Sequence, residues 1–152
     1  MKHILYWMLL FVWVGQVEVE AKINVVTTTT DLAAIVKEIG GEEVSVQAIA
    51  KGYQDPHYVQ AKPSYMRVMN RADLLVYVGL ELEVGWLPLL IQGARNPQIM
   101  PGAVGHLDAS VGVRRLDVPT GGVDRSMGDV HPEGNPHYWL DPRNGLVIAK
   151  AV

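Results

Sequence analysis

Apolar positions along this chain follow two alternating rhythms. Short β-branched runs predict buried strands, and spacings of i, i+3, i+4 and i+7 predict helices. Ile23 to Thr27 is the first predicted strand. A run of four threonines and Asp31 follows. A hydroxyl there caps a helix N-terminus, and Asp31 suits the positive end of its dipole. Leu32, Ile35, Val36 and Ile39 mark that helix, and Gly40-Gly41 stops it. Val44 to Ala50 reads as a second strand, and Gly52 to Pro63 as a loop. A second helix begins near Ser64, with Tyr65, Val68, Met69 and Ala72 on one face. Leu74 to Val78 is a third strand, closed by Gly79, and Val84 to Ala94 a third helix with Pro88 in its first turn. Gln98 to Met100 reads as a short fourth strand. Gly112 to Pro136 is polar, rich in Gly and Pro and without periodicity, which predicts a long loop. Asp141-Pro142 then reads as an N-cap followed by proline at the first helical position, and Leu146, Val147 and Ala149 continue that helix to Val152.

Strand–helix alternation of this kind predicts an α/β fold, a parallel sheet flanked by helices. Ligands of such sheets bind in the loops beyond the carboxyl ends of the strands. Here those are the loops after residues 50, 78 and 100.

The first residues follow a different pattern. Lys2 and His3 precede an uncharged run from Ile4 to Val14, and Val19-Glu20-Ala21 places small residues where a signal peptidase reads. Residues 1–21 are therefore expected to be a cleaved secretory signal. The run is too short for a transmembrane helix, which takes about 20 residues. Residues 22–141 form the expected folded unit, and residues 142–152 begin a helix that the sequence leaves without a stop signal. The expectation is an exported but incomplete protein.

Composition narrows the chemistry. Thirteen basic residues stand against 16 acidic ones, a net charge of -3, which argues against a nucleic-acid partner. The absence of cysteine excludes disulfides, thiolate metal sites, thiol catalysis and a lipid-modified N-terminal cysteine. A transition-metal site must draw on His, Asp and Glu. Of the histidines after the signal, His57 follows Asp55-Pro56 just beyond a strand, and His137 follows Asn135-Pro136 just before a helix. Each sits behind a proline that restricts the loop. Neutral imidazole is the commonest protein ligand for borderline metals, and two such rings supply half of a tetrahedral site. By spacing alone the signal is weak, because a lone loop histidine is more often a surface residue.

The order of short motifs adds much more. Asp31-Leu32, Ile39-Gly40-Gly41-Glu42, Asp55-Pro56-His57 with Lys62-Pro63-Ser64, and Arg71-Ala72-Asp73-Leu74 before Tyr77-Val78-Gly79 occur in sequence. Leu82-Glu83 then stands before Trp86-Leu87, and Asn135-Pro136-His137-Tyr138-Trp139-Leu140-Asp141-Pro142 closes the series. In this the chain resembles the N-terminal half of a metal-binding solute-binding protein of an ABC importer. The resemblance implies one lobe of a two-lobed periplasmic-binding-protein-like fold, its lobes joined by a long helix with the metal between them. It implies His57 and His137 as metal ligands and zinc as cargo, with manganese the alternative. The partner implied is a membrane permease with a separate ATPase subunit. The second lobe and the ligands it supplies lie outside these residues.

Other positions are assigned more modestly. His131 is a further candidate, an entry ligand or substitute for a missing one, set against an ordinary solvated loop residue. His106 reads as structural. Asp55 reads as an Asx turn before Pro56, with orientation of His57 as its other reading. Tyr138 and Trp139 read as packing at the lobe edge, or as shields for the metal. Glu81 and Glu83 read as surface charges, Glu83 also as a residue that orders a nearby loop. No serine-hydrolase elbow, phosphate-binding loop or His-Glu-x-x-His motif is present, so no enzyme is expected. Two alternatives stand beside the transport reading. One is a zinc metallohydrolase in which three histidines and Glu133 activate water. The other is a non-functional truncated remnant, which would lack cooperative unfolding.

Overall fold

The computed structural model describes residues 21–152; the expected signal, but for Ala21, lies outside them. Four parallel strands form one sheet: β1 (Ile23–Thr27), β2 (Val44–Ala48), β3 (Leu74–Tyr77) and β4 (His106–Asp108), in the order β2-β1-β3-β4. Val25 lies opposite Val46 on one side and Leu74 on the other, and Leu75 opposite His106. Four α-helices cover the sheet: α1 (Thr30–Gly40), α2 (Pro63–Asn70), α3 (Leu87–Ala94) and α4 (Pro142–Ala151).

Adjacent residues of a strand face opposite ways, so a sheet covered on both faces reads as continuous apolar sequence. Val26 and Leu75 belong to one core with Met69 of α2, Leu90 of α3 and Trp86. Their neighbours Val25 and Val76 belong to the other, with Leu32 and Val36 of α1 and Ile148 of α4. All of these are buried. α4 therefore closes the second core: Ile148 is buried there, whereas Leu146 points to solvent. The helix starts follow their local chemistry. Thr29 Oγ1 accepts from the Leu32 amide to cap α1, and Asp141 caps α4 by accepting from the Arg143 amide, with Pro142 in the first turn.

Three sequence expectations are corrected. Gln98 to Met100 is not a strand; Pro97–Ile99 is a 3-10 turn, and the fourth strand is His106–Asp108. The Asn96 side chain explains this. Its oxygen accepts from the Gln98 amide, and its nitrogen donates to the Met69 and Ala72 carbonyls, so the backbone turns where the apolar residues suggested extension. The third helix starts at Leu87 rather than Val84, because residues 80–86 are turns in which Leu80 and Glu81 take positive φ. Glu83 is not a surface charge. It is 3% exposed and accepts from the Val78 and Gly79 amides at 2.8 and 3.2 Å. Burial raises its carboxyl pKa, against the pull of those hydrogen bonds. Its role is the loop-ordering one, fastening the turn after β3.

The functional edge consequently comprises the loops after β2, β3 and β4, the last leaving from residue 108 rather than 100. Residues 112–136 form the expected long loop, with a single 3-10 turn at Arg125–Met127. Among the described residues no helix is long and apolar enough to cross a membrane.

Candidate metal centre

His57 is aimed by its neighbours. Asp55 Oδ1 accepts from the His57 amide at 3.0 Å and from its ring Nδ1 at 2.7 Å. Both readings of Asp55 thus hold, an Asx turn and an orienting carboxylate. The amide hydrogen bond, then that of the ring, keeps the Asp55 carboxyl below the usual carboxylate range. A carboxylate accepts and does not donate, so Nδ1 carries the imidazole proton. In the neutral ring Nε2 is therefore left with a free lone pair, the tautomer a metal requires. The loop itself is fixed from below: Trp86 Nε1 donates to the Pro56 carbonyl at 2.8 Å, and Trp86 is 1% exposed.

His137 is brought alongside by different means. Its amide donates to Asn135 Oδ1 at 3.0 Å, and the next residue anchors the segment, since buried Tyr138 donates its hydroxyl to the Val78 carbonyl at 2.7 Å. Tyr138 is thus core packing, while Trp139 lies edge-on to the His137 ring with centroids 5.1 Å apart. The rings of His57 and His137, eighty positions apart in sequence, lie 5.4 Å apart between centroids.

The solvated-loop reading of His131 is not what the structure shows. Its Nε2 lies 3.1 Å from Nε2 of His57, and the two rings stack with centroids 5.2 Å apart. Burial, followed by the neighbouring imidazoles, lowers the pKa of both His131 and His137. Its sequence context makes it a lesser candidate; the return of the long loop onto the segment after β2, where it meets His57 and Tyr58, brings it in. An open cavity of about 420 Å³ adjoins His57 and His131, with Glu81, Asp124 and Asp129 on its walls. Among the described residues no three His, Asp or Glu side chains stand, as placed, where together they could hold a metal ion.

The remaining candidates fall elsewhere. His106 Nδ1 lies 2.9 Å from the Ile99 carbonyl and its ring tilts against Tyr77, a structural placement. Glu133, the base of the hydrolase alternative, forms an ion pair with Arg115 at 3.2 Å. The Asp55 contact yields a direct expectation. Asp55→Ala removes the group that fixes the His57 tautomer, and metal affinity should drop by roughly 10–100-fold with the fold intact. Zinc titration of the variant, with thermal unfolding beside it, checks this; unchanged affinity would confine Asp55 to its turn.

The fold is that of one lobe of a two-lobed, periplasmic-binding-protein-like architecture, since solved metal-binding proteins match it over only 42–44% of their own length. The chain belongs to the family described as ZnuA, zinc-uptake complex component A, periplasmic, whose model matches residues 25–152. It is 31% identical over 134 residues to the manganese ABC transporter substrate-binding lipoprotein PsaA of Streptococcus pneumoniae, covering 86% of this chain and 40% of that protein. It is 29% identical to a metal ABC transporter substrate-binding lipoprotein of Lactococcus lactis, with 88% and 40% covered. A crystal structure of a zinc-bound ZnuA deletion mutant superposes with a TM-score of 0.65 at 23% identity, over 86% of this chain and 44% of that one. A manganese-bound periplasmic metal-binding protein from Candidatus Liberibacter asiaticus gives 0.63 at 21%, over 84% and 42%. The chain thus spans about 40% of the length of the curated relatives it matches. Those relatives are called lipoproteins, whereas these 152 residues contain no cysteine.

Proposed function

We propose that this chain supplies the first-lobe half of an extracytoplasmic site that captures a divalent transition metal and hands it to an ABC permease driven by a separate ATPase subunit. His57 and His137 are the metal ligands of this lobe. The observation that carries the reading is the His57 geometry: Nδ1 is committed to Asp55, which leaves Nε2 for a metal, and the ring lies 5.4 Å between centroids from that of His137. Both rings bind as neutral imidazoles. Zinc is the first cargo and manganese the second, since imidazole nitrogen favours zinc whereas manganese prefers a larger share of oxygen ligands. The remaining ligands come from a second lobe, beyond a helix that begins at Pro142. Residues 1–21 are an export signal removed before the site forms.

Calorimetric titration with zinc, manganese and calcium tests this. Zinc should bind more tightly than manganese, and calcium, which takes oxygen ligands, should give no heat. Equal weak heats from all three ions would sink the reading. Mass spectrometry of exported material should find an N-terminus near Lys22; an intact Met1 on cytosolic protein would remove the signal from it.

A further inference from the structure

We propose that His131 is a third nitrogen ligand contributed by this same lobe, so that the long loop is part of the metal site. This rests on the reading of His57 and His137 as ligands and extends it. Two imidazole nitrogens bound to one tetrahedral zinc, each about 2.0–2.1 Å from the ion, stand about 3.3 Å apart. Nε2 of His57 and Nε2 of His131 stand 3.1 Å apart, close to that bite. Asp55 accepts the hydrogen bond from His57 Nδ1–H, so without metal the short contact is His131 Nε2–H donating to the His57 Nε2 lone pair. On metal binding His131 changes tautomer: its Nε2 proton is released to solvent, Nδ1 takes one up from solvent, and the freed Nε2 lone pair turns to the ion. The His137 ring, beside His57, completes three nitrogens by side-chain rotation.

The loop is built to hold this position. The Gly134 amide donates to the His131 carbonyl at 3.1 Å, closing a turn around Pro132. Gly134 has φ +107°, and a Cβ there would stand 2.6 Å from the Leu116 carbonyl oxygen, so only glycine fits. The Asn135 amide donates to that same carbonyl at 2.8 Å. Further along, Tyr58 donates to Asp129 Oδ1 at 3.2 Å, tying the loop to the segment that carries His57. A solvated loop histidine needs none of these fastenings. Three nitrogens from one lobe favour zinc over manganese more strongly than two do, and leave fewer positions for a second lobe to fill.

Zinc-edge X-ray absorption of the zinc-loaded chain counts imidazoles directly, and competition with a chelating dye reads affinity. The unmodified chain should show three imidazoles. His131→Ala and His131→Gln should each show two and bind zinc at least tenfold more weakly, with unchanged thermal unfolding of the metal-free protein. Cobalt(II) substitution should report the same change as weaker visible absorption of a tetrahedral centre. If both His131 variants keep the imidazole count and affinity while His57→Ala and His137→Ala lose binding, the third-ligand assignment is overturned and the two-histidine reading stands. If none of the four variants alters binding, the two-histidine reading itself fails, and this inference with it.

Discussion

His57→Ala and His137→Ala should each weaken zinc binding by at least about 100-fold, more than the loss of an orienting partner produces. His106→Ala should leave it unchanged. The contrast follows from placement. His57 and His137 meet at the carboxyl edge of the sheet, each on a loop pinned by its own Asx turn and by a buried aromatic, Trp86 or Tyr138. His106 spends its Nδ1 on the Ile99 carbonyl and packs on Tyr77. Isothermal titration of the three variants decides the matter; small and equal effects would mean that the site lies elsewhere. The pH profile carries the same signature. Protons compete with metal for imidazole, so affinity falls only as pH drops through the pKa of the ligands. Burial and neighbouring rings lower the pKa of His137 and His131. Proton competition at these two rings should therefore set in at more acidic pH than for an ordinary histidine, near 6.5. A loss beginning above that value would contradict the half-buried placement of these rings.

Trp86→Ala should be among the most destabilising single changes, costing about 3–5 kcal/mol. The indole is 1% exposed in the core that joins α2 and α3 to the sheet, and it also holds the Pro56 carbonyl. The effect should reach the metal site, because the loop carrying His57 loses its support. Trp86→Phe separates the two roles. It keeps most of the packing, deletes the hydrogen bond, and should cost about 1–2 kcal/mol while still loosening zinc binding. Urea unfolding measures the stabilities and dye competition the affinities. If Trp86→Phe bound zinc as tightly as the parent chain, the indole would be a core residue only, with no part in aiming His57.

The sequence by itself determined most of the scaffold. Apolar periodicity marks α1 because Leu32 and Val36 fall on one helical face, and the Asp141-Pro142 pair marks the start of α4 because capping is a local interaction. Continuous β-branched runs declared strands covered on both faces, and the motif around His57 and that around His137 named two histidines whose local turns are visible in Asp55 and Asn135. Tertiary structure decided what depends on distant partners. The segment at Gln98 turns because Asn96 reaches back to Met69 and Ala72, and the fourth strand is displaced to His106 as a result. Glu83 is buried because β3 ends with two amides that need an acceptor. His131 joins His57 only because a loop of more than twenty residues folds back across the sheet edge and is fastened there by Tyr58 and Gly134. A pattern of residue types records local hydrogen bonding and burial; it does not record where a long loop comes to rest, because that is set by contacts between residues far apart in the chain.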